Sequence, residues 1–485
     1  MPNREPIAWR HIAGSAALLL ALLLLGSGGY GYHRDELYFR MLAPAWGYVD
    51  QPPLTPLLAE AVIAAFGDHL WAIRVPAALA AVAALVLVVL LCRELGGDHR
   101  AQAIAAWGFA LCPASVMFGH VLLTAITDLA LWCATALAVL VAVRRKPVAW
   151  LVAGALAGIA TSNRWLVAVL VAGLVVGLAA CGPWRVFRSP MPWLGALVGL
   201  AVAAPNLAYQ ATNGWPQFAM GSALAEENAD AVRVEMWPLM LVLLGPPLVA
   251  VWIAGLVRCL RTPDLRFVAV AFVVVIGFTF VAGAQPHYTV GALAIAFAAG
   301  CVPVAAWLRT GARWGIAIPL WALNAITAII IGLPVLPLGS LAATPLPAMS
   351  SLLAEQVGWP RYVAQVGEVY RAAQRDASGP VAVIASNYGE AGAIDRFGAE
   401  HGLPSPVSGH NQLWHEGRPV DGTRTVVIVG GQAERVSSLF ASCEVVDRLD
   451  NGVGVENEEQ GMPIAVCRDP VAPWSELWPR FRHLD

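Results

Sequence analysis

"GYHRDELYFRMLAPAWGYVDQPPLTP", residues 31–56, crowds charges, aromatic rings and prolines directly behind an apolar run in a chain built mostly of Ala, Leu and Val. Of the 485 residues, 58% are hydrophobic and 13% charged, with a mean hydropathy of +0.65. Such proportions are far from those of soluble proteins and place the stretch in a multispanning membrane protein. The formal net charge of −2 carries no basic excess, so nothing in the composition points to nucleic acid.

Apolar runs long enough for a bilayer core of about 30 Å fall near 12–27, 73–92, 101–118, 124–143, 148–162, 165–181, 191–208, 237–257, 267–283, 288–308 and 314–333. The short pair 148–162 and 165–181 reads as a tight hairpin. Loops rich in Arg and Lys stay in the cytoplasm. Arg4 and Arg10, Arg93 and Arg100, Arg144 to Lys146, Arg185 and Arg188, Arg258 to Arg266, and Arg309 with Arg313 all fall on one side of this eleven-span scheme. The other side, the outer face, then receives residues 28–72, the turns near 119, 163 and 285, the loop 209–236, and everything after about 335. The run ending "LLLLGSGG" could be a cleaved signal peptide, but a retained helix is the preferred reading.

Residues 1–335 are therefore expected to form a transmembrane domain, with interfacial helices in the outer loop 28–72, and residues 336–485 a soluble extracytoplasmic α/β domain. In the latter, "PVAVIASN" (380–387), "TRTVVIVGG" (423–431) and "MPIAVCRD" (462–469) read as buried strands, with helices near 351–375 and 388–401. "VVIVGG" lacks the GxGxxG fingerprint of a nucleotide site. Six cysteines lie in or beside apolar runs as packing residues. Cys443 and Cys467, in an oxidising compartment, are a candidate disulfide.

On this topology the opening stretch lies where the first helix leaves the bilayer. A short helix from Asp35 to Leu42 is expected along the membrane surface, with Leu37, Met41 and Leu42 turned to lipid. A second follows the turn at Pro52 and Pro53. Adjacent helical residues point about 100° apart, so Asp35 and Glu36 cannot share a face. Glu36 lies one turn before Arg40, in ion-pair order, whereas Asp35 has no such partner.

The pair Asp35–Glu36, "YVDQPPLTP", Thr127–Asp128, "QPHY" (285–288), "NYGEAGAI…SGHNQLW" and "ENEEQGMPIAVCRD" resemble glycosyltransferase family 39, which contains protein O-mannosyltransferases and bacterial aminoarabinose transferases. The resemblance spans almost the whole chain. It implies an α-helical polytopic membrane protein of the GT-C type, with about 11 transmembrane helices and a C-terminal extracytoplasmic α/β domain. It also implies inverting transfer of a sugar from a polyprenyl-phosphate-linked donor to a lipid, glycan or protein acceptor, on a hydroxyl or phosphate at the outer face. Membrane lipids are the remaining partners.

That chemistry needs a base for the acceptor, cations or hydrogen-bond donors for the departing phosphate, and a cavity open to bilayer and water. Asp35 matches the family's base; the alternative is an acid favoured by a helix start. Asp128, about one turn inside its span, is costly unless it faces a polar cavity or pairs with an arginine. Arg164 in "TSNRW" suits a phosphate through its planar fork, although relatives carry lysine nearby and lipid headgroups also attract such residues. His287 and Tyr288 offer further hydrogen bonds to phosphate or sugar. Glu36, Tyr38, Asp50 and Gln51 are expected to line the cavity, and Asn387, Tyr388 and His410 to shape acceptor access.

No cofactor is called for, but some aminoarabinose transferases hold a divalent ion. The resemblance makes Asp50 its natural ligand, with His33 or His287 as companions; alternatively Asp50 caps the proline-led turn. Polar residues in a many-span chain also mark transporters, including flippases of lipid-linked sugars. Against that stand the lack of an internal repeat, the gathering of polar candidates at one face, and the large outer domain.

Overall fold

The computed structural model describes residues 5–484, apart from the side chains of residues 227 and 228; Arg4, used above for sidedness, lies outside them. Helices fill the first two thirds of the chain. In order they are α1 (Trp9–Gly26), α2 (Arg34–Met41), α3 (Leu54–Phe66), α4 (Leu70–Glu94), α5 (His99–Ala110), α6 (Pro113–His120), α7 (Thr124–Arg144), α8 (Ala149–Thr161) and α9 (Val167–Ala180). Then come α10 (Pro190–Thr212), α11 (Pro216–Leu243), α12 (Pro246–Arg261), α13 (Arg266–Ala282), α14 (Val290–Trp307) and α15 (Gly311–Gly332).

The chain is a multi-pass integral membrane protein. Every expected apolar run is helical, but the count of eleven full spans is corrected. Among the described residues, seven helices are long and apolar enough to cross, and up to nine crossings result if two bent pairs each count as one. The bends are 47° between α5 and α6 and 96° between the end of α11 and α12. Pro113 and the Gly245–Pro246 step lie at these breaks, where proline removes a backbone donor. The hairpin helices α8 and α9 have 13 and 14 residues, short of the roughly 20 a crossing needs.

Lipid gives helices no hydrophobic reason to associate, so close backbone approach through small residues does much of the joining. A Cβ at Gly154 of α8 would lie 1.8 Å from the Gly195 carbonyl oxygen of α10, and one at Gly255 of α12 would lie 1.9 Å from the Ala296 oxygen of α14. α14 is the most enclosed spanning helix and touches α4, α5, α7 and α12.

The C-terminal part holds a five-stranded sheet in the order β2-β1-β3-β5-β4. β1 (Val381–Ala385), β2 (Val407–Ser408) and β3 (Thr425–Val429) are parallel, while β4 (Phe440–Arg448) and β5 (Pro463–Pro470) complete it antiparallel. β1, β3 and β5 are the three expected strands. β4 escapes the sequence reading because it is an edge strand with most of its residues partly or fully exposed, so it lacks an apolar run. A disulfide joins Cys443 to Cys467, which the register places opposite one another. Ahead of the sheet, the Trp359–Asp376 helix buries Tyr362, Val363, Val366, Tyr370 and Ala373 at helical spacing.

The helix at Asp35 forms, but it does not lie on lipid. Leu37 and Leu42 are buried and Met41 is half-buried, because α2 is covered by the Tyr388–Phe397 helix of the C-terminal part. The approach is close enough that a Cβ at Gly392 would meet the Leu37 carbonyl oxygen at 2.6 Å. An eight-residue apolar face looks the same whether lipid or protein covers it.

Candidate functional site

α2 is held by its first turn. His33 Nδ1 accepts from the Asp35 backbone N–H at 3.2 Å, and Glu36 accepts in return from the His33 N–H at 2.9 Å, a reciprocal cap. With Nδ1 accepting, His33 Nε2–H is free to donate to Glu355 at 3.2 Å.

Glu36 does not pair with Arg40, contrary to the spacing-based expectation. It is fully buried, and its oxygens accept from Arg74 Nε and Nη2 at 3.0 Å each and from the Leu122 N–H at 3.0 Å. Arg74 spends its remaining donors on the Ser27 and Gly31 carbonyls, on Gln356 and on His120 Nε2 at 3.4 Å. Arg40 turns instead to Asp68 at 3.1 Å and Asp395 at 2.8 Å. Sequence reasoning missed Arg74 as Glu36's partner. The signal was there: an arginine just inside a spanning run demands a buried counter-charge.

Asp35 points elsewhere, as the helical spacing requires. It is half-buried, and its Oδ1 accepts from the Tyr388 hydroxyl at 2.9 Å. Tyr38, buried beside it, donates to Asp50 Oδ1 at 3.0 Å. The dense protein around Asp50 pushes its carboxyl up to about 6, outweighing the Tyr38 bond that favours the charged form. The Gln51 carbonyl accepts from the Tyr48 N–H at 2.9 Å, while its buried side-chain Nε2 has no partner among the described residues.

A second group forms at the same end of the bundle. The turn between α8 and α9 docks on the start of α3, with the Leu54 N–H donating to the Ser162 carbonyl at 2.8 Å and Thr55 to Asn163 at 3.0 Å. That places Arg164, whose Nη1 is 3.2 Å from His287 Nε2 and whose guanidinium carbon is 4.5 Å from the Tyr288 ring centre. A guanidinium only donates, so His287 accepts at Nε2 and is neutral, with its proton on Nδ1. No carboxylate forms an ion pair with Arg164 among the described residues. Asp128, 6% exposed, has Arg164, Trp132 and Asn163 as its polar neighbours, and its buried Oδ1 has no donor at hydrogen-bond geometry among the described residues.

The expected metal companions do not converge. Asp50 is bound by Tyr38, His33 by Glu355 and His287 by Arg164, and among the described residues no group of three or more His, Cys, Asp or Glu is placed to hold a metal ion.

Next to Asp50 a cavity of about 410 Å³ opens between the helical body and the sheet domain. Val49, Tyr209 and Asn213 line it on one side, and Gln412, His415 and Arg482 on the other.

Residues 50–209 match the family described as dolichyl-phosphate-mannose-protein mannosyltransferase, a stretch that includes Asp50, Gln51, Asp128 and Arg164. No curated protein sequence matches the chain. Among solved structures, ArnT from Cupriavidus metallidurans bound to undecaprenyl phosphate is similar with a TM-score of 0.62 at 16% identity, covering 94% of this chain and 97% of that one. Its apo form gives a TM-score of 0.60 at 14% identity, covering 95% and 98%. The oligosaccharyltransferase AglB from Archaeoglobus fulgidus, in complex with an inhibitory peptide and a dolichol-phosphate, gives 0.52 at 13% identity over 88% and 70%. The chain has the GT-C fold of ArnT, which the sequence resemblance implied.

Proposed function

We propose that this chain, with a GT-C fold and a family match over residues 50–209, is a glycosyltransferase that uses a polyprenyl-phosphate-linked sugar. The observation that carries the reading is the contrast of charges at one end of the bundle. A half-buried carboxylate, Asp35, has one oxygen without a protein donor among the described residues, and a guanidinium, Arg164, has no ion-pair partner among them.

The acceptor O–H gives its proton to the second oxygen of Asp35, and the freed oxygen attacks the anomeric carbon from the side opposite the phosphate. The carbon–oxygen bond to the phosphate breaks, and its electron pair leaves with the polyprenyl phosphate. Arg164 meets the charge that develops there, a charge-assisted fork in a site where such contacts strengthen as the transition state forms. His287 orients that fork, and its Nδ1–H is a further donor. The unpaired Asp128 Oδ1 and Gln51 Nε2 supply one acceptor and one donor for sugar hydroxyls. Tyr38, Asp50 and Tyr288 line the approach, and the cavity beside Asp50 gives the acceptor a way in between the two parts of the molecule.

Residues 1–335 then form the catalytic membrane domain and 336–485 its cover. The arginine distribution supports an extracytoplasmic cover, and the resemblance to bacterial aminoarabinose transferases a bacterial inner membrane. The test is turnover of a panel of radiolabelled undecaprenyl-phosphate sugars by purified protein in nanodiscs, with membrane extract as acceptor source. Release of undecaprenyl phosphate with label on an acceptor is the expected result. Movement of an intact lipid-linked sugar across sealed vesicles, without release, would replace this reading with a flippase.

A further inference from the structure

The C-terminal domain sends one phenol onto the proposed base. Tyr388 opens its helix behind a reciprocal cap in which Asn387 Oδ1 accepts from the Glu390 N–H at 2.9 Å and Glu390 accepts from the Asn387 N–H at 3.1 Å. The Tyr388 backbone N–H donates to His410 Nδ1 at 3.0 Å. Its ring is stacked against Tyr38, with centres 4.8 Å apart and planes at 26°, and against His410, at 4.9 Å and 18°. His410 stacks in turn on His483 at 4.8 Å and 6°, so four rings form one column from α2 into the sheet domain. The Arg34 guanidinium carbon lies 4.6 Å from the Tyr388 ring centre and is anchored by Glu458.

Packed in this way the ring cannot swing, and its hydroxyl has one direction, toward Asp35 Oδ1 at 2.9 Å. Burial, reinforced by the neighbouring Asp35 charge, pushes the phenol well above its ordinary range, so it stays a neutral donor. An aspartate's terminal torsion is otherwise broad. A carboxylate that rotates freely offers its basic oxygen in many directions.

We propose that Tyr388 is a positioning residue for sugar transfer: it holds Oδ1, fixes the plane of the Asp35 carboxylate, and so leaves the other oxygen aimed at the acceptor hydroxyl. Tyr388 keeps its proton throughout, and the acceptor's proton goes to Asp35. This inference rests on the reading of Asp35 as the base.

The experiment compares wild type, Tyr388→Phe, Tyr388→Leu and Asp35→Asn in nanodiscs, using whichever undecaprenyl-phosphate sugar wild type consumes. Tyr388→Phe keeps the column and loses only the hydroxyl. Its expected phenotype is an unchanged melting temperature, an unchanged donor KM and a kcat lowered by about tenfold or more, since a misplacement near 1 Å at a reacting group costs on the order of 10²-fold. If the role is only to join the two domains, Tyr388→Leu loses stability and Tyr388→Phe turns over as wild type; that result overturns the proposal. Inactive Asp35→Asn beside fully active Tyr388→Phe sinks this inference alone. An active Asp35→Asn sinks the base assignment and this inference together.

Discussion

Two arginine clusters stand at the same end of the helical bundle and look alike in composition. Around Arg74, Glu36 accepts four hydrogen bonds or more, and the guanidinium itself is shared among Glu36, two carbonyls, Gln356 and His120. Around Arg164, the one side chain hydrogen-bonded to the guanidinium among the described residues is His287, and the neighbouring Asp128 Oδ1 is buried with no hydrogen bond among them. Burying a polar group without a partner costs free energy that a native fold rarely leaves uncompensated. The Arg74 charge is thus paired within the chain and holds the fold, while the Arg164 charge has no ion-pair partner among the described residues, the contrast on which the proposed phosphate contact rests.

The largest effect should come from breaking the Arg74–Glu36 pair. Glu36→Gln leaves Arg74 charged and buried, at a cost of about 3–5 kcal/mol, to be read as a collapse of the melting temperature and of the monodisperse peak in detergent. Glu36→Gln combined with Arg74→Met, which removes the stranded charge, should recover much of that loss. If the single variant is as stable as wild type, Glu36 is no anchor and the contrast drawn here fails.

Arg164→Gln should do the reverse. Its melting temperature stays at the wild-type value while kcat/KM for the lipid-linked sugar falls on the order of 10²-fold, the usual loss when one donor to developing charge is removed. Arg164→Lys keeps the charge without the fork and should recover part of it. A destabilised Arg164→Gln with normal kcat/KM would make this second cluster structural too.

The smallest effect concerns pH. Asp50 is raised to about 6 in the fold from an ordinary 3.8, so the folded chain holds more protons than the unfolded chain between those values. Stability from this group is therefore full below about pH 4 and is lost as pH rises through about 6. Asp50→Asn should flatten that decline when melting temperature is followed from pH 4 to 7, and an unaltered slope would remove Asp50 as its source.

What the sequence revealed follows the same division. The spanning runs, the three inner strands and the split between Asp35 and Glu36 were legible, because depth and helical period are local properties. The docking of Arg164 beside His287 was foreshadowed only by their shared placement at turns on one side. The partner of Glu36 was not found, since Arg74 lies 38 residues away on another helix and Arg40 offered a local alternative. The cover over α2 was equally hidden: Gly392 and Tyr388 approach it from more than 350 residues downstream, and no periodicity in residues 34–41 distinguishes their contact from lipid. β4 failed for the opposite reason, having little buried surface to leave a pattern.

The most direct test of the account is transfer by Asp35→Asn against wild type, with donor binding measured on the same nanodisc samples. Asparagine fits the space and can still accept from Tyr388, but it cannot take the acceptor's proton. The account predicts donor affinity like that of wild type with label transfer reduced by at least 10²-fold, the lower end of what removing a general base costs. Transfer at the wild-type rate by a variant that binds donor normally would contradict it.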